Sequence, residues 1–298
     1  MNRPVSRCEH TQANRAGSGP PQARRIRTTT PFDRWGPVPE PAPLVSAAVT
    51  ARSSFPELLA AVEGVEGWMS DGQARLLHDR ASELGAGARI VEIGSFRGRS
   101  MIVLASSAVD GVDIVAIDPH LGSDRGPQEI EADQDRGDDD FDLFHANLQS
   151  AGVDERVRHV RKMSHEALGD VDGEIDLLYI DGAHRFAPAR ADIVEWGNRV
   201  SGGGTMLIHD SFSSIGVTLA LLTTTFVSGR WRYVGRARSM AEYQRVNLST
   251  GERVRDAARQ VLQLPWFLRN VVIKVLIVAK LRPLTRLLGH PSSDEWPY

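Results

Sequence analysis

The sequence predicts an α/β protein with a doubly wound, mostly parallel sheet that ends in an antiparallel edge pair. Three observations predict it. Short apolar runs alternate with helix-length stretches between residues 55 and 226. The first strong run, Ile90-Val91-Glu92-Ile93, stops at Gly94 and gives way to a helical stretch over 101–109. Four of five such runs finish on or near an acid: Glu92, Asp118, Asp181 and Asp210. Strand, glycine turn and helix put backbone N–H groups at the carboxyl end of a parallel strand, which is where open α/β sheets bind nucleotides.

Composition bounds the rest. With 298 residues, 41% hydrophobic and 24% charged, the chain suits one large domain or two small ones. A net charge of −3 gives no support for a nucleic-acid binder. The single cysteine, Cys8, allows no internal disulfide and no thiolate metal cluster, and fits a reducing cytoplasm. Residues 1–30 are rich in Arg, Pro, Gly, Ser and Thr and lack the apolar core of a secretory signal. A transit peptide shares that composition. A disordered bacterial arm over 1–45 is the plainer reading, since Pro37, Pro39, Pro41 and Pro43 favour extended backbone.

In chain order, Ser54 and Pro56 open a short helix over 55–62. Ser70 and Gln73 form a capping box for a second helix, with Ala74, Leu77, Ala81 and Leu84 on one face and Gly85 as its stop. Trp68, just before it, reads as a core or staple aromatic rather than a pocket wall. Glu92 is a carboxylate inside an apolar strand and needs a partner. The second strand, 112–117, ends in Asp118-Pro119-His120, placing an acid where ribose hydroxyls are held. Residues 122–140 are acidic and read as a solvated loop over the site. A helix over 141–150 stops at Gly152, and the third strand, 157–160, leads to Met163-Ser164. The fourth, 175–180, ends Asp181-Gly182-Ala183-His184. A helix over 188–196 follows, then a Gly202-Gly203-Gly204 turn into the fifth strand, 205–208, which ends His209-Asp210. Residues 217–226 form a helix apolar on nearly all sides, and 230–236 with 242–246 form the edge pair.

Residues 251–298 make a basic extension after a domain over 46–250. Between 262 and 289 there is no acid, and Trp266, Phe267 and spaced Lys and Arg suit a helix lying on an anionic membrane. The apolar stretch is interrupted by Lys274 and is too short to span one. Packing on the domain, or a contact between copies in a homo-oligomer, are the alternatives. The expected location is cytoplasmic, with peripheral contact to the inner membrane face.

These motifs together resemble the class I S-adenosylmethionine-dependent methyltransferases, whose fold is a Rossmann-like sheet. The likeness is closest to the bacterial methyltransferase domain 24 family, which also holds proteins named cephalosporin hydroxylase and macrocin-type sugar O-methyltransferases. It rests on GWMSDGQARLL (67–77), VEIGSFRGRS (91–100), AIDPH (116–120), the run from FHANLQSAGV to RVRHV (144–160), LYIDGAH (178–184), the helix from Asp192 to Trp196, and GGGTMLIHD (202–210). The resemblance implies that Glu92, Gly94, Ser95 and Gly98 hold the methionine end of the cofactor, Asp118 its ribose, and Ser164 its adenine, with Asp181 beside it. It implies a divalent cation, Mg²⁺, on Asp181 and Asp210. His209 departs from the all-oxygen set of metal-dependent relatives.

The expected reaction is O-methylation of a small-molecule or sugar-like hydroxyl, with a cation or a His base (His184 or His209) activating the oxygen. A nicotinamide-dependent oxidoreductase competes, but Gly94-x-x-x-Gly98 lacks the middle glycine of G-x-G-x-x-G. A non-catalytic, membrane-docked binding module is the other alternative. A hydroxylase would need a two-His-one-carboxylate triad, which the sequence does not display.

Overall fold

A computed structural model describes residues 54–123 and 131–291. The proposed disordered arm lies outside the described residues, as does part of the acidic stretch. The elements run α1 (Phe55–Val62), α2 (Asp71–Ser82), β1 (Arg89–Ile93), α3 (Arg99–Ser107), β2 (Asp113–Ile117), α4 (Gln134–Ser150), β3 (Val157–Val160), β4 (Ile175–Ile180), α5 (Phe186–Glu195), β5 (Val200–Ile208), α6 (Ile215–Thr223), β6 (Trp231–Ala237), β7 (Met240–Arg245), α7 (Thr250–Val261) and α8 (Leu264–Val278).

The seven strands form one sheet in the order β3-β2-β1-β4-β5-β7-β6. The first five are parallel, and β7 runs antiparallel between β5 and β6. This is the expected class I methyltransferase fold. Strand order reverses beside β1, whose neighbours are β2 and β4, so a crevice opens at their carboxyl ends. Alternate side chains of β1 serve opposite faces. Ile90 packs with Leu77, Met101 and Phe144 from α2, α3 and α4. Val91 and Ile93 pack with Ile193, Val217 and Leu221 from α5 and α6.

Three local expectations are corrected. The acidic stretch is not loop to residue 140, because α4 starts at Gln134. Asp133 caps it by accepting from the Arg136 N–H at 3.0 Å, and Asp135 sits in the first turn, where negative charge suits the exposed N–H groups. The three glycines at 202–204 are not a turn before β5 but lie within it. They form an irregularity in which Ile175 pairs with Val200 and Leu177 already with Thr205. The basic helix does not run to Gly289: α8 ends at Val278, and a 3₁₀ stretch, Arg282–Leu288, begins next to Pro283.

The extension after residue 250 is packed on the domain. Asp256, Gln260, Asn270 and Ile273 are buried. Asp256 accepts from the Tyr233 N–H at 2.8 Å, and Gln260 accepts from the Tyr243 hydroxyl at 3.1 Å.

Candidate active site

The carboxyl ends of β1, β2, β4 and β5 are tied together by backbone bonds just beyond the strands. Gly94 N–H donates to the Ile117 carbonyl, Asp181 N–H to Ile93, and His209 N–H to Ile180, all at 2.8 to 2.9 Å. Gly94 has φ +87, and a Cβ there would overlap the Asp181 carbonyl, so only glycine lets the two loops approach. Above them lies a cleft of about 330 Å³, whose lining includes Gly94, Asp118, Ser164, Asp181 and His184. That volume and its mixed lining suit a small-molecule site.

On the β1 side, Glu92 is fully buried. Ser100 Oγ donates to its Oε1, while Oε2 has no partner. Burial pushes the carboxyl up to about 8, against the opposing hydrogen bond of Ser100. Ser95 Oγ is buried and likewise without a partner, in a smaller hollow that shares Gly94 and Asp181 with the cleft. An acid and a hydroxyl left wanting at one point fit an ammonium group, and with the cleft they fit S-adenosylmethionine. Glu92 lines neither hollow, so its reach toward such a group runs through water or Ser95. Asp118 faces the cleft, its Oδ2 accepting from the Phe96 N–H and its Oδ1 from the His120 N–H, both at 2.8 Å. Lone pairs remain on both oxygens for ribose hydroxyls.

Two expected cofactor residues sit differently. Gly98 does not line the cleft. It is the left-handed N-cap of α3, where a Cβ would strike Leu148. Ser164 does line it, but its hydroxyl donates to Asp192. Burial pushes Asp192 up to about 6, against that hydrogen bond.

On the β4 and β5 side, two imidazoles interleave with two carboxylates. His184 Nε2 lies 3.1 Å from Asp210 Oδ2, and His209 Nδ1 lies 3.0 Å from Asp181 Oδ1. Only Asp181 and His184 line the cleft, while His209 and Asp210 are buried behind them. The His209 contact is one of charge, since neither ring nitrogen has a well-directed hydrogen-bond partner. Burial would lower both histidines, but the Asp210 pairing outweighs it at His184, and the charges of Asp181 and Asp210 lift His209 to about 9. Asp210 is held well below the usual carboxylate range by the two imidazoles, against its burial.

The expected metal pair was Asp181 and Asp210. The structure instead groups ligand atoms of Asp181, His184 and His209 within 4.8 Å of one another. A two-His-one-carboxylate set therefore exists in space, although the sequence does not display it, because two strand ends supply it. Two nitrogens and one carboxylate suit a borderline transition cation better than Mg²⁺, which prefers oxygen. Both imidazoles and Asp210 are also committed to ion pairs. Magnesium on Asp181 and Asp210 does not fit these residues.

Three residues escaped sequence reading as site residues. Trp68 is 39% exposed, lines the cleft, and stands 5.5 Å from the Phe96 ring, so it is a wall and not core. Tyr179 donates its hydroxyl to Asp181 Oδ2 at 2.9 Å. Asp192 was legible only as part of a motif. Strand alternation points Tyr179 and Asp181 to the same face, and that was the available signal for Tyr179.

A family profile described as Methyltransferase domain matches residues 91–211. Among solved structures, a Corynebacterium glutamicum protein aligns at 12% identity over 66% of this chain and 91% of its own, with a TM-score of 0.50. A cofactor-bound protein from MTB aligns at 20% identity over 65% and 90%, with a TM-score of 0.49. An O-methyltransferase from Bacillus cereus in complex with SAH aligns at 17% identity over 65% and 90%, with a TM-score of 0.46. The first of these speaks to fold alone.

Proposed function

We propose that the chain, whose residues 91–211 match a family profile described as Methyltransferase domain, moves the methyl group of S-adenosylmethionine onto a hydroxyl oxygen of a small molecule held in the cleft. The observation that carries this reading is His184 at the cleft wall, backed by Asp210 at 3.1 Å. An alcohol is a poor nucleophile near neutral pH, so the site needs an acceptor for its proton. Asp210 takes the Nε2–H of His184 and leaves Nδ1 with a lone pair for the substrate hydroxyl. The sulfonium supplies the methyl group; the C–S bond breaks as the C–O bond forms. His184 takes up the hydroxyl proton, which is then released to solvent. His209 positions Asp181, with Tyr179 on its other oxygen, and Asp181 orients the acceptor. A sugar or vicinal diol suits this rim of paired acceptors. The raised His184 must first be neutral, so turnover should climb with pH above the ordinary histidine range.

The test combines titration with S-adenosylhomocysteine and with NAD, followed by label transfer from S-adenosylmethionine to a panel of sugars and diols. S-adenosylhomocysteine should bind. His184→Gln should lower kcat by about 10²- to 10⁴-fold with that affinity unchanged. EDTA should leave the rate intact. Binding of NAD in its place, or a His184→Gln enzyme as fast as the parent, would sink the reading. An EDTA loss restored by Mg²⁺ would return the metal to Asp181 and Asp210.

A further inference from the structure

Helix α8 is apolar on two sides. One side is used by the domain: Ile273 and Ile277 are buried, Asn270 Nδ2 donates to the Phe212 carbonyl at 3.3 Å, and Lys274 Nζ donates to the Ser213 carbonyl at 2.9 Å. The other side carries Leu268, Val272, Val275 and Val278, spaced by four, three and three residues and so aligned on one face. All four are exposed, Val278 by 71%. The 3₁₀ stretch adds Leu284 and Leu287, the latter 83% exposed. A contiguous exposed row of this kind marks a docking surface.

Charge indicates the occupant. No Asp or Glu occurs between 262 and 291, although the whole chain carries −3. Lys280, Arg282 and Arg286 accompany the apolar row in exposed positions. A second copy would meet this row with the same basic rim and offer no acid from this segment. A layer of anionic headgroups over acyl chains matches both features. Contrary to the expectation of a stretch too short to span, the run Thr250–Val278 contains a window long and apolar enough to cross a bilayer by length and composition. Crossing would strip Asn270 and Lys274 of their carbonyl partners and place both in hydrocarbon, which is costly.

We propose that the outer face of α8 and the 3₁₀ stretch after it lie flat on an anionic lipid surface. The valines and leucines enter the headgroup–acyl boundary, and the Lys and Arg side chains meet lipid phosphates. The inner face stays on the domain, holding the 212–213 carbonyls just after Asp210. Docking concerns the surface of the chain and holds whether or not the cleft transfers methyl groups.

Flotation of the full chain with phosphatidylcholine vesicles, and with vesicles that also contain phosphatidylglycerol, tests this. The chain should float with the anionic vesicles at least about tenfold better than with the neutral ones, and high salt should weaken the binding. Lys280→Gln with Arg286→Gln should lower anionic binding by about thirtyfold, at roughly 1 kcal/mol for each of the two charges. Val272→Ser with Val275→Ser should abolish it with an unchanged circular dichroism spectrum. Should that apolar pair misfold, the charge pair and the salt series decide. Equal behaviour with both vesicle types, or an apolar variant that floats like the parent, overturns the proposal. So does a dimer in sedimentation that the apolar variant dissociates, with no flotation of the parent, because that gives the face to a second copy.

Discussion

Glu92 lies one residue before the carboxyl end of β1, with one carboxylate oxygen served by Ser100 and the other by nothing. Its carboxyl is raised to about 8 from an ordinary 4.5, with burial the main cause. Between those two values the folded chain keeps a proton that the unfolded chain has lost. Stability therefore falls as pH rises from 4.5 to 8, and levels off above 8. Glu92→Gln removes that loss. Thermal unfolding at pH 8 should show the variant more stable by up to about 4 kcal/mol, with the gain vanishing near pH 4. The same change should weaken S-adenosylhomocysteine by about tenfold or more, because an ammonium loses a charged partner. Calorimetry of the parent in buffers of different ionisation enthalpy should show proton release on binding below pH 8. A variant that binds like the parent would remove Glu92 from the cofactor site. Glu92 was conspicuous in the sequence because a carboxylate in an apolar strand demands a partner. Asp192 and Tyr179 were not, since an acid in a helix and an aromatic in a strand are ordinary until strand register and helix packing set them against Ser164 and Asp181.

Among the elements, the five parallel strands were legible because a strand covered on both faces reads as an unbroken apolar run. Elements that depend on capping were less so. The start of α4 hides in a stretch whose acids suggest solvent, although those acids are what its N-terminus favours. The start of α7 is signalled only by the Ser249–Glu252 capping box, which lies within a polar run. What sequence cannot show is how closely two elements approach. Gly216, near the start of α6, sits so tightly on the loop after β4 that a Cβ would overlap the His184 carbonyl. Gly216→Ala should push that loop and move His184 without touching the β1 side. We expect kcat to fall by about tenfold to a hundredfold, since misplacing a reacting group by about 1 Å costs this much. S-adenosylhomocysteine affinity should change little. Steady-state kinetics beside calorimetry checks the split, and an unaltered kcat would show that the loop yields without consequence.

At the scale of the whole molecule, the segment after residue 250 reads in sequence as an appendage and behaves in structure as a wall of the domain. Its composition is unlike the rest, which invites a boundary at 250. The contacts run across that position. Gln260 accepts hydrogen bonds from the buried Tyr243 hydroxyl at 3.1 Å and from Thr225 at 3.2 Å, joining α7 to β7 and to the end of α6. Asp256 takes the Tyr233 N–H of β6, and Asn270 reaches the Phe212 carbonyl beyond β5. Removing α7 and α8 would open Tyr233, Tyr243 and Phe212 to water and leave these polar groups without their partners. A chain cut before Thr250 should therefore be insoluble or largely unfolded, and is unsuitable as a control for lipid binding. The graded form of the same claim is Gln260→Ala. It removes the acceptor shared by the buried Tyr243 and Thr225 hydroxyls, at a cost of about 2 kcal/mol. In a domain of this size that lowers the unfolding midpoint by about 4 to 8 °C. Circular dichroism melts of the parent, Gln260→Ala and the 1–249 fragment give the comparison. A fragment that melts cooperatively at the parent temperature would make the extension an independent appendage, and α8 would then be free to leave the domain for the membrane.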